Sequence, residues 1–188
     1  MTESLMTRIP RANLAPAWQP AWDMLNSLTG SATFVEVFAQ SPQLLEFVMN
    51  EFYAKLFFGG QVAQRFKQLA RLRLSLLHGC RTCNRQNIPG ALGAGFTQAQ
   101  IDALMREDYT PFSPAGRAVI GYASQVALTN MDGQMSPQLF AGLREHFSEA
   151  DVLELGTVMA VISGMAKLSF VLNLVDKEAY CPFAPKAA

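Results

Sequence analysis

Apolar residues recur at three- and four-residue intervals along almost the whole chain, and turn-forming residues interrupt them at helix-length spacing. Alternating runs of the strand type are scarce. The pattern predicts helices near 18–28, 32–39, 42–57, 61–78, 81–94, 98–106, 114–129, 137–145 and 149–175, an all-α fold. Several starts carry their own chemistry. Ser41-Pro42 and Ser136-Pro137 each place a capping hydroxyl before a proline at the first helical position. Thr97 with Gln100 reads as a capping box, and Ser148 with Asp151 as a close relative of one. Gly59-Gly60, Gly79, Gly95, the segment 109–114 and Gly133 break the helices apart. Residues 1–16 and 177–188 read as arms with little core of their own, flanking a single domain.

The most apolar run, Leu155 to Val175, is interrupted only by Lys167 and is long enough to match a membrane span. It is read as a buried helix. Glu149, Asp151 and Glu154 lead into it, Lys167 sits inside it, and no basic flank anchors it. Gly156, Ser163 and Gly164 would let another helix approach closely. No membrane partner is therefore expected.

Composition narrows the picture further. The chain has 188 residues, half of them apolar and 16% charged, which suits one domain with a real core. The formal net charge is zero, so nothing global favours nucleic acid or an anionic surface as partner. Met1 to Pro20 has no apolar stretch of the signal-peptide type. Three cysteines are too few for a disulfide scaffold; one close pair plus a distant third suits a cytoplasmic dithiol.

That pair is Cys80-Arg-Thr-Cys83. If a helix begins after Gly79, then Cys80, Cys83 and Asn87 share one stripe. Two thiols one turn apart can close a disulfide with little rearrangement, and a helix N-terminus favours thiolate. Between Glu51 and Asp102 there is no acidic residue, while Lys55, Arg65, Lys67, Arg71, Arg73, Arg81 and Arg85 all fall in that interval. Arg81 and Arg85, nearest the thiols in sequence, are the candidates for stabilising thiolate. His78 could serve as a local base, or as a packing residue at the helix end. Cys181, in Tyr180-Cys181-Pro182, reads as a passive tail cysteine, with a third redox thiol as the alternative. No metal is expected, because Cys181, His78 and His146 complete no ligand motif around the pair. A thioredoxin fold is disfavoured by the lack of a strand ahead of the motif.

Residues 68–104, QLARLRLSLLHGCRTCNRQNIPGALGAGFTQAQIDAL, resemble the core of alkylhydroperoxidase D-like proteins, of the carboxymuconolactone decarboxylase-like superfamily. The redox members carry Glu-x11-Cys-x2-Cys-x3-His, then a glycine eight residues later opening a short helix; here Gly95-Phe96-Thr97 stands at that place. The similarity extends over roughly residues 40–175. It implies an alkylhydroperoxidase D-like helical bundle that forms homo-oligomers (dimer, trimer or hexamer). The family's glutamate position falls on Gln68 and its histidine position on Asn87. Neither amide titrates near neutral pH; each can orient a water or thiol but cannot take its proton.

The resemblance implies a peroxidase-like enzyme that reduces a small hydroperoxide through a Cys80–Cys83 dithiol/disulfide cycle. It needs no cofactor beyond that disulfide and an external thiol reductant. It also implies Cys83 as the peroxidatic thiol and Cys80 as the one exchanging with reductant, an order the residues alone leave open. Two alternatives stand beside it: a redox-responsive interaction protein without turnover, and a lactone decarboxylase.

Overall fold

The computed structural model describes residues 6–183. Among them are nine α-helices, one π-helix and two short 3-10 turns at Arg11–Asn13 and Pro16–Trp18. The α-helices are α1 (Gln19–Thr29), α2 (Thr33–Phe38), α3 (Pro42–Glu46), α4 (Gln64–His78), α5 (Arg81–Gly93), α6 (Gln98–Met105), α7 (Pro114–Val126), α8 (Pro137–Arg144) and α9 (Glu149–Val171). The predicted all-α class holds, and most helix ends fall within a few residues of their expected places.

Local chemistry explains many of the starts. Thr97 and Ser148 form full capping boxes with Gln100 and Asp151. Ser113 and Ser136 accept the backbone N–H three residues on. Ser41 departs from expectation, since its hydroxyl makes no capping bond. The expected helix 42–57 also changes character: after α3 it widens into a π-helix over Phe47–Phe58. Side chains five apart then come onto one face, which brings Phe52 to 6.3 Å from Phe57 and Tyr53 to 6.4 Å from Phe58, ring centre to ring centre.

Helix α4 is central, packing on α5, α7 and α9. One apolar cluster joins Ala70 and Leu74 of α4 to Val119, Leu143, Leu155 and Met159. A second joins Leu69, Leu72 and Leu76 to Ala91, Ile101, Leu104 and Ile120. Burying α4 on two sides in this way leaves its remaining stripe for the site.

Both expected arms need correction. Ile9 and Leu14 pack with Val35, Phe38, Leu45 and Leu174, and the Ile9 N–H donates to Glu36 O at 3.0 Å. Trp22 Nε1 donates to the buried Glu36 carboxylate at 2.8 Å, and Arg8 pairs with the same group. The tail folds back on the α4–α5 junction: the Glu178 N–H donates to Gly79 O at 2.8 Å, and the Asp176 N–H to the Thr82 hydroxyl at 2.9 Å. Residues 1–5 and 184–188 lie outside the described part. Helix α9 ends at Val171 rather than 175; Asn173 takes a left-handed conformation and the Leu174 N–H turns back to Ser169 O. Among the described residues α9 is the one helix long and apolar enough to cross a membrane, and it packs on α4, α7 and α8.

Candidate active site

Gly79 ends α4 in the left-handed region (φ 61°), a conformation that glycine adopts without a Cβ penalty. The turn leaves Cys80 extended at the cap of α5, where its Sγ accepts the Cys83 N–H at 3.2 Å. Cys80 and Cys83 are joined in a disulfide, their Cα atoms 5.2 Å apart. The two sulfurs differ in surroundings. Cys80 is fully buried with Phe170 and Cys181, whereas Cys83 is only partly buried.

Cys83 lines a cavity of about 560 Å³, within the roughly 300–1,000 Å³ usual for small-molecule sites. The walls are mostly apolar: Leu25 and Leu28 of α1, Phe34, Phe52, Tyr53 and Phe58, and Ile162 and Met165 of α9. Polar groups enter from α4 and α5. Gln68, Arg71, Ser75 and His78 follow one another at three- and four-residue steps and so share one face of α4. From α5 come Thr82, Cys83, Gln86 and Asn87.

Gln68 and Asn87, at the glutamate and histidine positions of the resemblance, thus meet Cys83 in one cavity. Asn87 is buried, and its Nδ2 donates to Arg71 O at 3.4 Å. Gln68 lies so close to Gly90 that a Cβ there would stand 2.8 Å from Gln68 Oε1. Gln68 Oε1 and Asn87 Oδ1 are both buried without a hydrogen-bond partner in the protein. The arrangement is that of acceptors waiting for a donor.

His78 is deeply buried, and its Nε2 accepts the Leu128 N–H at 3.0 Å. Burial pushes its pKa down to about 4. The imidazole is therefore neutral at pH 7, with Nε2 already occupied and the proton on Nδ1.

The cations of the central stretch do not surround the thiols without acids, because distant segments supply them. Arg81 pairs with Glu178 at 3.2 Å, Arg73 with Glu107 at 3.1 Å, and Lys67 with Glu154 at 3.1 Å. Arg85 is exposed and donates to Thr29 O at 3.1 Å. Arg71, which the sequence motif does not single out, is buried and lines the cavity. Its three-residue offset from Gln68 was the signal that could have found it. Among the described residues no cluster of His, Cys, Asp and Glu has the makings of a metal site.

Residues 42–125 match the family model of the carboxymuconolactone decarboxylase family. Over those residues the chain carries the sequence pattern of the carboxymuconolactone decarboxylase family. No curated protein sequence matches it. The chain is similar in fold to the debrominase Bmp8. The apo form has a TM-score of 0.74 at 15% identity, covering 95% of each chain. A cysteine-to-alanine variant of Bmp8 in complex with 2,3,4-tribromopyrrole has a TM-score of 0.73 at 15% identity, covering 95% of this chain and 94% of that one. It is also similar to a protein of unknown function from Agrobacterium tumefaciens, for which a role as an antioxidant defence protein AhpD is proposed. That match has a TM-score of 0.62 at 19% identity, over 72% of this chain and 92% of the other.

Proposed function

We propose that the protein is a dithiol oxidoreductase that reduces a small organic hydroperoxide through the Cys80–Cys83 pair, with an external thiol as reductant. The observation that carries this reading is the asymmetry of the pair: Cys83 faces the cavity, and Cys80 stands buried behind it. In the reduced protein the Cys83 thiolate attacks the terminal peroxide oxygen. The S–O bond forms, the O–O bond breaks, and the alkoxide leaves and takes a proton as the alcohol. The Cys80 thiolate then attacks the sulfenic sulfur, releasing hydroxide that is protonated to water and closing the disulfide. Two equivalents of external thiol restore the dithiol. Gln68 and Asn87 hold the hydroperoxide by accepting its O–H and take no proton in any step. The N-terminal end of α5 favours the thiolate form.

Turnover of cumene hydroperoxide with dithiothreitol tests the reading. Wild type should consume peroxide well above background, and Cys83→Ser should not. Equal background rates in both would end it.

A second reading is favoured by the fold match along nearly the whole chain to a debrominase and by the aromatic wall at Phe34, Phe52 and Tyr53. Here the dithiol supplies two electrons to a carbon–halogen bond: the carbon takes a proton, halide leaves and the disulfide closes. Bromide release from a brominated pyrrole, measured in the same assay, separates the two readings.

The protein is proposed to work as a homo-oligomer in the cytoplasm. Leu153 and Val171 of α9 are 71% and 66% exposed, an apolar face that a second copy would cover. Light scattering on the purified chain tests the assembly; a monomer at micromolar concentration would refute it.

A further inference from the structure

Helix α4 carries three deeply buried cations, and two of them have acid partners. Lys67 pairs with Glu154 and Arg73 with Glu107. Arg71, 6% exposed, does not. Its side chain meets the Tyr53 hydroxyl, 3.4 Å from Nη2, and the ring faces of Tyr53 and Phe57, 5.2 and 5.3 Å from the guanidinium carbon. Among the described residues no carboxylate reaches it. A guanidinium keeps its charge wherever it is placed, and a buried charge without a counter-ion is strongly unfavourable. Aromatic faces offset only part of that cost. Most of the five N–H donors of Arg71 remain for something entering the cavity.

The same cavity holds the two acceptors without donors, Gln68 Oε1 and Asn87 Oδ1. Asn87 Nδ2 is committed to Arg71 O, which settles that its Oδ1 is the free end. Between and around these groups the walls are apolar. A cation, two lone acceptors and an apolar body together describe a ligand with an anionic end, a hydrogen-bond donor and hydrocarbon or aromatic surface.

We infer that the cavity takes an amphipathic monocarboxylate, its carboxylate bound by the Arg71 guanidinium. The planar fork of N–H groups matches a carboxylate in a two-point contact that a lysine could not make. Leu25, Leu28, Phe34 and Phe52 cover the apolar body, and the amides of Gln68 and Asn87 take its donor beside Cys83. The inference rests on the reading of this cavity as the substrate site, and it narrows the substrate from any small hydroperoxide to one bearing a carboxylate.

Calorimetric titration of the oxidised, full-length protein with octanoate and with octanamide tests it. The two probes share a chain and differ in head-group charge. Wild type should bind octanoate at least tenfold more tightly than octanamide. Arg71→Met should abolish that preference, octanoate losing at least tenfold more affinity than octanamide, and Arg71→Lys should keep part of it. Equal affinities in wild type, a preference that survives Arg71→Met, or no binding of either probe would overturn the inference. So would a rise in the Cys83 thiol pKa in reduced Arg71→Met without any octanoate preference in wild type, since the thiolate would then be the counter-ion. Circular dichroism confirms that the variants fold, and Arg71→Lys keeps the test alive if Arg71→Met does not. The measurement uses the disulfide form and no turnover, so a failed peroxidase assay leaves its outcome intact.

Discussion

Cys181 lies directly against Gly79: a Cβ on Gly79 would stand 2.5 Å from the Cys181 Cα and 2.9 Å from its Cβ. The contact closes the back of the dithiol. Cys181 Sγ donates to His78 O at 3.1 Å, and Cys181 shares an apolar cluster with Cys80 and Phe170. The tail therefore shields the inner sulfur of the pair from solvent, and reductant must approach through Cys83 or after the tail moves.

Gly79→Ala should loosen this closure. The substitution meets both the left-handed φ and the Cys181 backbone. The left-handed φ alone should cost about 1–3 kcal/mol. A urea melt should show the loss, and the Cys181 thiol should become more reactive to a disulfide reagent. An unchanged midpoint would mean that the tail is not packed against the turn.

The three thiols should differ sharply in the reduced protein. Cys83 faces the cavity, while Cys80 and Cys181 are 0% and 6% exposed. Alkylation by iodoacetamide, followed residue by residue by mass spectrometry, should modify Cys83 about tenfold faster than either of the others. A faster Cys80 would reverse the assigned order of the pair.

His78 should make stability fall in mild acid. Its folded pKa of about 4 lies below the ordinary 6.5. Between those values the unfolded chain binds a proton that the folded chain does not, so stability is fully present above pH 6.5 and declines as pH drops toward 4. The loss by pH 5 should be about 2 kcal/mol. Urea melts at pH 7 and pH 5 measure it, and His78→Gln should flatten that part of the profile.

Glu154 should matter more than its position suggests. It pairs with Lys67, whose side chain is fully buried, and accepts the N–H groups of Gln61 and Val62 at 2.9 and 3.1 Å. Burial alone would raise its pKa, but the hydrogen bonds from Lys67, Gln61 and Val62 and the Lys67 charge hold it below the usual carboxylate range. Its contribution is present above the ordinary carboxylate pKa and is lost as pH falls through the lowered one. Glu154→Ala leaves the buried ammonium without a counter-ion, held by the Leu56 carbonyl, and should cost about 3–5 kcal/mol in a denaturant melt at pH 7.

Placing titrating groups at positions 68 and 87 should raise reactivity. In Gln68→Glu/Asn87→His, the imidazole can keep the hydrogen bond to Arg71 O through Nδ1. Peroxide oxidation of the reduced double variant, followed by stopped flow, should be up to about 10²-fold faster than wild type at pH 7. No gain would show that these positions do not exchange protons with the thiols.

The helical class, most helix boundaries and the Cys80–Cys83 motif were legible in the sequence because each depends on neighbours within a turn or two. Capping by Thr97, Ser136 and Ser148 is a contact across three residues, and the dithiol spans four. Ser41 shows the limit even there, since its cap signal forms no bond. What only the tertiary structure decided depends on long loops closing. Glu107, Glu154 and Glu178 reach back 34, 87 and 97 residues to pair with Arg73, Lys67 and Arg81, so a stretch without acids in sequence is largely neutralised in space. The tail that reads as loose chain is docked by backbone bonds to Gly79 and Thr82 and by the buried Cys181. Arg71 is singled out only by subtraction, as the buried cation of α4 that no distant acid meets. Periodicity assigns a residue to a face of its helix; which charges from elsewhere come to that face is decided when the chain folds.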